Sequence, residues 1–366
     1  LFGCTVVEEC ANKEIAVVPA RQPRRLRGEH LTDVHARREH GGYIDVARQR
    51  HGGAYMIDLS TGISPRSYPA PPLTADRLQA LPTQSDLAAC LAAARRHYEV
   101  PDELALCAGP GTQALLQLVP ALASDGAVWI AQPTYNEHLP AWSAHGHDVS
   151  VVPTLPEEVR HAVVVLPNNP TGWADYTAVE MLAAEIGRRE GLLLIDGAFA
   201  DGATHSEDVH LLAKLAQTHV LHLRSFGKFF GLAGLRLGFA IGQPEQIDYL
   251  SDRIGPWAVG TASLEIGKQA LDDVAWVTDH RIWLSQQADH LSVLLIRHGL
   301  TIIGGTSLFQ CVRCDHAVAL QRHLGKNGVW VRAFSAHPDL LRIGLPGDAA
   351  AFSALDEALA KWQGKS

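Results

Sequence analysis

The rhythm of hydrophobic and polar positions changes twice along the chain. From about residue 103, apolar runs of strand length recur: LALCA (104–108), AVWIA (127–131), VSVVP (149–153), AVVVLP (162–167), LLLID (192–196), VLHLRSF (220–226) and LRLGFAIG (235–242). Between most of them lie stretches with apolar residues at helical spacing, such as TQALLQLVPALA and YTAVEMLAAEIGRRE. Unbroken Val/Ile/Leu runs, unlike alternating ones, belong to strands buried on both faces. Interleaved with helices, they predict an α/β fold with a mainly parallel sheet covered on both sides. After residue 260 a long helical stretch (261–298) precedes LTIIGG, SLFQCVRC, a helix, VWVRAF, LLRIGL and a terminal helix. That order predicts a smaller α+β domain, joined to the large one near Gly255-Pro256. The expected organisation is a leader over 1–39, an arm over 40–102 contributing to the small domain, a large domain over 103–256 and a small domain over 257–366.

Composition narrows the function classes. With 366 residues, 47% hydrophobic and 19% charged, the chain is globular and long enough for two cores. A net charge of -8 without an offsetting basic stripe argues against nucleic acid as the main partner. No apolar run approaches the roughly 18 residues that would predict a membrane span. The first 39 residues carry the basic clusters RQPRRLRGEH and HARREH without an apolar period, and a mobile leader is expected there. Six cysteines are few for this length, so a reducing cytoplasm is the expected compartment. Cys311 and Cys314 have CxxC spacing, but no second pair accompanies them and the run reads as a strand; no metal is expected.

In open α/β sheets, chemistry gathers where strands end and helices begin. Four polar features fall at such places. CAGPGTQAL (107–115) is a glycine-rich turn entering a helix, where Gly111 and Thr112 can present backbone N–H groups to a phosphate; Pro110 has none to offer. LPNNPTG (166–172) aims side-chain amides into the same crevice. Asp196 ends an otherwise apolar strand, where a carboxylate is costly unless a cation meets it or it caps a helix. SFGKFFGLAGLRLG (225–238) sets Lys228 among phenylalanines, with Ser225 and Arg236 at fixed offsets. The four fit one ligand, a phosphate-bearing aromatic cation that a lysine amine holds covalently. Lys228 supplies the amine, which apolar surroundings keep nucleophilic. Asp196 holds the protonated ring nitrogen, while Ser225, Arg236, Gly111 and Thr112 grip the phosphate. That ligand is pyridoxal 5′-phosphate.

The ordered set GPGT, PTY, NNPTG, Asp, SxxK and Arg resembles the fold-type I aminotransferase superfamily, class I/II, over about residues 40 to 362. The resemblance implies that Asn169 contacts the cofactor's 3′-oxygen, Tyr135 stacks on its ring and Arg342 receives the substrate carboxylate. It also implies a homodimer. Within the superfamily, EHGG (39–42) and IDLSTGISP (57–65), which contains Gly62, are similar to the N-terminus of the threonine-phosphate decarboxylase family of cobalamin biosynthesis. A flexible hinge is the plain alternative for His40-Gly41-Gly42.

Some positions depart from the family pattern. Phe199 stands where Tyr is frequent, Gly197 where Glu is, Ser64 where Asn is usual, and Leu81 where a partner subunit's tyrosine often reaches the phosphate. The implied substrate is a small phosphorylated amino acid, with Arg332 gripping its phosphate and His40 closing over it. The implied reaction is decarboxylation, with Lys228 returning the proton to Cα. An aminotransferase acting on a phosphorylated amino compound such as histidinol phosphate is the second expectation. A non-catalytic cofactor-binding homologue is the third.

Overall fold

The structure, a computed structural model, describes residues 40–52, 56–202, 205–215 and 219–364; the expected leader lies outside the described residues. A short strand β1 (Ile57–Asp58) precedes seven strands: β2 (Ala105–Gly109), β3 (Ala127–Ala131), β4 (Val149–Val152), β5 (Val159–Val165), β6 (Leu193–Gly197), β7 (Val220–Ser225) and β8 (Gly238–Gly242). The seven form one sheet in the order β2-β8-β7-β6-β5-β3-β4. Neighbours from β7 through β4 run parallel, and only β8 is antiparallel to its neighbours.

Both faces of this sheet are apolar. Val163 and Leu194 join one buried cluster with the helices Thr112–Leu118 and Pro244–Ile254, while Val164, Leu193 and Ile195 join the other with the helix Tyr176–Arg188. Each fully buried Val, Leu or Ile contributes about 1.5–3 kcal/mol, so successive residues of one run stabilise opposite layers. That is why the runs do not alternate.

The remaining strands are β9 (Thr301–Thr306), β10 (Phe309–Arg313), β11 (Val329–Trp330), β12 (Arg332–Phe334) and β13 (His337–Gly344). Four of them form an antiparallel sheet ordered β12-β13-β10-β9. The N-terminal β1 pairs in parallel with β11, which attaches the arm to this second sheet region. The helices Thr261–Asp272 and Val274–Arg297 come between the two sheets in the chain.

Two strands differ from expectation. VWVRAF is not one strand: Val329–Trp330 pairs with β1, the ladder breaks at Val331, and Arg332 pairs with Arg342 of β13. The run expected from 235 begins only at Gly238, because Ala233–Leu235 is a short 3-10 turn and Arg236 takes a left-handed conformation with φ 53°. The reason for that break is visible at the pocket.

Candidate active site

A cavity of about 360 Å³ opens where β5, β6 and β7 end. Lys228 sits in the single helical turn Phe226–Phe229 that follows β7. Gly227 permits the turn, since a Cβ there would lie 2.8 Å from the Ala233 Cα. The Lys228 carbonyl accepts from Ser64 N at 2.9 Å, and its Nζ donates to the Thr61 carbonyl at 3.4 Å. Burial, reinforced by the Arg342 guanidinium, lowers the Lys228 pKa to about 8. Roughly a tenth of its amine is therefore unprotonated at pH 7, against well under a thousandth for an ordinary lysine.

Asp196 is 3% exposed at the end of β6. It does not cap a helix. Its Oδ2 lies 3.0 Å from His138 Nε2, and its Oδ1 accepts from Ala198 N at 3.1 Å. His138 is fully buried at the start of the helix His138–Ala144. It is the partner a buried carboxylate requires, and its signal was the histidine three positions after Tyr135. Gly197 has a steric reason as well: a Cβ there would lie 2.5 Å from Nε2 of buried His222.

The glycine-rich turn works differently from the expectation. The Gly111 N–H is used on the Gly109 carbonyl at 2.7 Å, so it is not a free donor. Its contribution is space: φ is +82°, and a Cβ would lie 2.6 Å from Arg236 Nη2. Gly238 serves the same end from the other side, since its Cβ would come within 2.5 Å of Thr112 N. The left-handed backbone at Arg236 turns the guanidinium into this cup, where Nη1 also donates to Ala233 O at 3.1 Å. Thr112, Ser225 and Arg236 line the cavity there.

Opposite the cup, Arg342 is 5% exposed; Nη1 donates to Asn169 Oδ1 at 2.6 Å and Nη2 to the Ser60 carbonyl at 2.5 Å. It therefore fixes the Asn169 amide. The second asparagine is structural: Asn168 Nδ2 donates to Pro133 O at 2.9 Å. Arg332, 8% exposed, lines the cavity and is the cross-strand partner of Arg342. Burial and the neighbouring Arg332 charge lower the Arg342 pKa to about 10. Tyr135 and His40 complete the wall, their rings 5.9 Å apart.

Phe199 packs edge-on against Phe309, 5.0 Å between centroids. Gly62, with φ +62°, lies against both rings, and a Cβ there would be 3.1 Å from Phe199. Gly62, expected at the substrate, is not among the residues that line the cavity and reaches it only through Phe199. Ser64 is buried, its hydroxyl 3.1 Å from His280 Nε2, and Leu81 is 64% exposed. Cys311 lies buried opposite Arg342 across β10 and β13, and burial pushes its thiol up to about 12.

The sequence model of class I and II aminotransferases matches residues 74–358. The chain belongs to that family. Among curated members, it is 37% identical to the threonine-phosphate decarboxylase of Pseudomonas aeruginosa over 334 residues, 88% of this chain and 97% of that one. It is 36% identical to the threonine-phosphate decarboxylase of a Sinorhizobium species, over 88% of this chain and 98% of that one. The fold matches the histidinol-phosphate aminotransferase of Sinorhizobium meliloti, solved in complex with pyridoxal-5′-phosphate, with a TM-score of 0.72. That match has 19% identity and covers 86% of this chain and 92% of that one.

The pocket suits this aminotransferase family's cofactor. A Cβ at Gly111 or Gly238 would fill the cup that faces Arg236, and the lysine amine and buried Asp196 line the same cavity. An anion, an aldehyde and a protonated ring nitrogen each have a complementary group.

Proposed function

We propose that this protein uses pyridoxal 5′-phosphate to decarboxylate L-threonine O-3-phosphate to (R)-1-aminopropan-2-yl phosphate, a step in making cobalamin. The observation that carries the reading is the pair of buried arginines, Arg332 and Arg342, facing one another across β12 and β13 at the cavity wall. Two buried guanidinium groups at one cavity wall favour an anionic ligand there. A substrate with a carboxylate and a phosphate supplies two anions. The relatedness to two threonine-phosphate decarboxylases supports the same substrate.

When bound, the cofactor supplies an electron sink for the pair of electrons left at Cα by departing carbon dioxide. The chain's own residues do the rest. Lys228 Nζ would hold the cofactor and, once freed, would return a proton to Cα. Asp196, oriented by His138, would pair with the protonated ring nitrogen. Thr112, Ser225 and Arg236 would hold the cofactor phosphate, and Tyr135 and Asn169, the latter fixed by Arg342, would contact the ring and its oxygen. Arg342 takes the carboxylate side of the substrate, and Arg332, with His40, takes its phosphate. That second grip, made chiefly by Arg332, would orient the substrate so that the bond from Cα to its carboxylate is the one that breaks.

Incubation of the holoenzyme with L-threonine O-3-phosphate should release one carbon dioxide per amino phosphate formed. Formation of a 2-oxo acid and dependence on an amino acceptor would instead mark an aminotransferase. We place the enzyme in the cytoplasm, where its four described thiols stay free, and as a homodimer, as the family relationship supports. Light scattering of the active holoenzyme tests the dimer, and a monomeric mass refutes it.

A further inference from the structure

Behind the cavity wall stands a carboxylate for which the reaction above has no use. Glu137 is 7% exposed, and both oxygens are engaged across the fold. Oε1 lies 2.8 Å from His40 Nε2, and Oε2 accepts from Gln113 Nε2 at 3.2 Å. Gln113 Oε1 in turn accepts from the Tyr135 hydroxyl at 3.0 Å. Glu137 occupies the N-cap position of the helix His138–Ala144, yet its side chain makes no capping bond there. Its charge is directed at the N-terminal segment and the first turn after β2 instead.

The N-terminal segment is pinned from its other side too. Gly42 N donates to Ser60 Oγ at 2.9 Å, and a Cβ on Gly41 would lie 2.3 Å from the Ser60 carbonyl. That carbonyl also accepts from Arg342. His40 is therefore fixed between two anchors, and Gly41 and Gly42 are a close-approach device rather than a free hinge.

We propose that Glu137 is a positioning residue for substrate specificity: by taking the Nε2–H of His40 it sets the imidazole at the cavity rim, with Nδ1 left for the substrate phosphate. As an imidazolium, His40 donates from both nitrogens, one to Glu137 and one to the phosphate. The inference rests on the reading of His40 as a phosphate contact. Because Arg332 still holds the phosphate and so keeps the substrate oriented, loss of the supplementary His40 contact falls on KM rather than kcat.

The test is a double-mutant cycle in the holoenzyme with Glu137→Gln, which keeps the shape and removes the charge, and His40→Ala. The readouts are KM and kcat for L-threonine O-3-phosphate, and calorimetric binding of 1-aminopropan-2-yl phosphate. Glu137→Gln should weaken binding and raise KM about tenfold, the scale of one charge-assisted hydrogen bond, with kcat within about twofold. Its visible cofactor absorption should match wild type, and the double variant should be no worse than His40→Ala. Equal losses from Glu137→Gln in both backgrounds, or loss of the cofactor, overturn the inference. A protein that binds the amino phosphate but releases no carbon dioxide loses the decarboxylase reading alone. One whose binding is indifferent to His40 and Glu137 loses this inference.

Discussion

The floor and the rim of the pocket are built in different ways. The floor comes from neighbouring parallel strands, each delivering one group at its end: Asp196 from β6, and Ser225 with Lys228 from β7. The rim is assembled from the N-terminal segment, the loop after β1 and the second sheet, through His40, Thr61, Arg332 and Arg342. On the proposed reading, the floor groups would hold the cofactor that the family shares, and the rim groups would contact the substrate. A rigid sheet can keep the cofactor in place while the rim changes by substitution in segments outside that sheet.

The largest effect should come from the floor. Lys228→Ala removes both the covalent anchor and the proton donor, and should lower kcat by on the order of 10³ or more. Borohydride treatment of wild type should fix the cofactor on Lys228; a reduced adduct on a different lysine would sink the assignment. At the rim, Arg332→Ala should lower kcat/KM for L-threonine O-3-phosphate about 10²-fold, the cost of leaving a desolvated anion unpaired. Unphosphorylated L-threonine should be affected far less, because it has nothing to place there. Arg342→Ala should impair both substrates, since it also releases Asn169. If Arg332→Ala reduced both substrates equally, the proposed division between floor and rim would be broken.

A subtler rim test is Gly41→Ala. The added methyl meets the Ser60 carbonyl and should displace His40, raising KM for the phosphorylated substrate about tenfold while leaving cofactor absorption intact. Loss of absorption would show that rim and floor are not separable. The smallest effect is in pH. Lys228 titrates near 8 instead of its ordinary 10.5, and only the unprotonated amine attacks an aldehyde. Capture of pyridoxal phosphate by cofactor-free protein, followed by visible absorbance, should therefore rise through about pH 8 and level off roughly a unit above it. A rise continuing beyond pH 10 would mean that the lysine is not desolvated.

Much of the floor was legible in the sequence because its signals are local. An apolar run buried on both faces predicts a central strand, and a polar residue ending such a run predicts a side chain at the crevice. Lys228, Asp196, Thr112 and Asn169 lie at or just after such run ends and line one cavity, where Arg236, which precedes its strand, joins them. The strand start at 235 and the break at 331 were not legible, because the left-handed Arg236 and the change of partner at Val331 answer to contacts outside their own runs.

Sequence by itself determined the order of elements, the double-sided sheet and the family motif set, since period and strand-end position are properties of neighbouring residues. Tertiary structure alone decided which polar groups meet. His138 finds Asp196 58 positions away, Arg342 finds Ser60 282 positions away, and His40 finds Glu137 across β2 and β3. It also decided that the Gly111 N–H is used on Gly109 while its missing side chain makes room for Arg236. Such pairings depend on how the loops between segments close and on which buried charges find partners, and no local pattern encodes that closure.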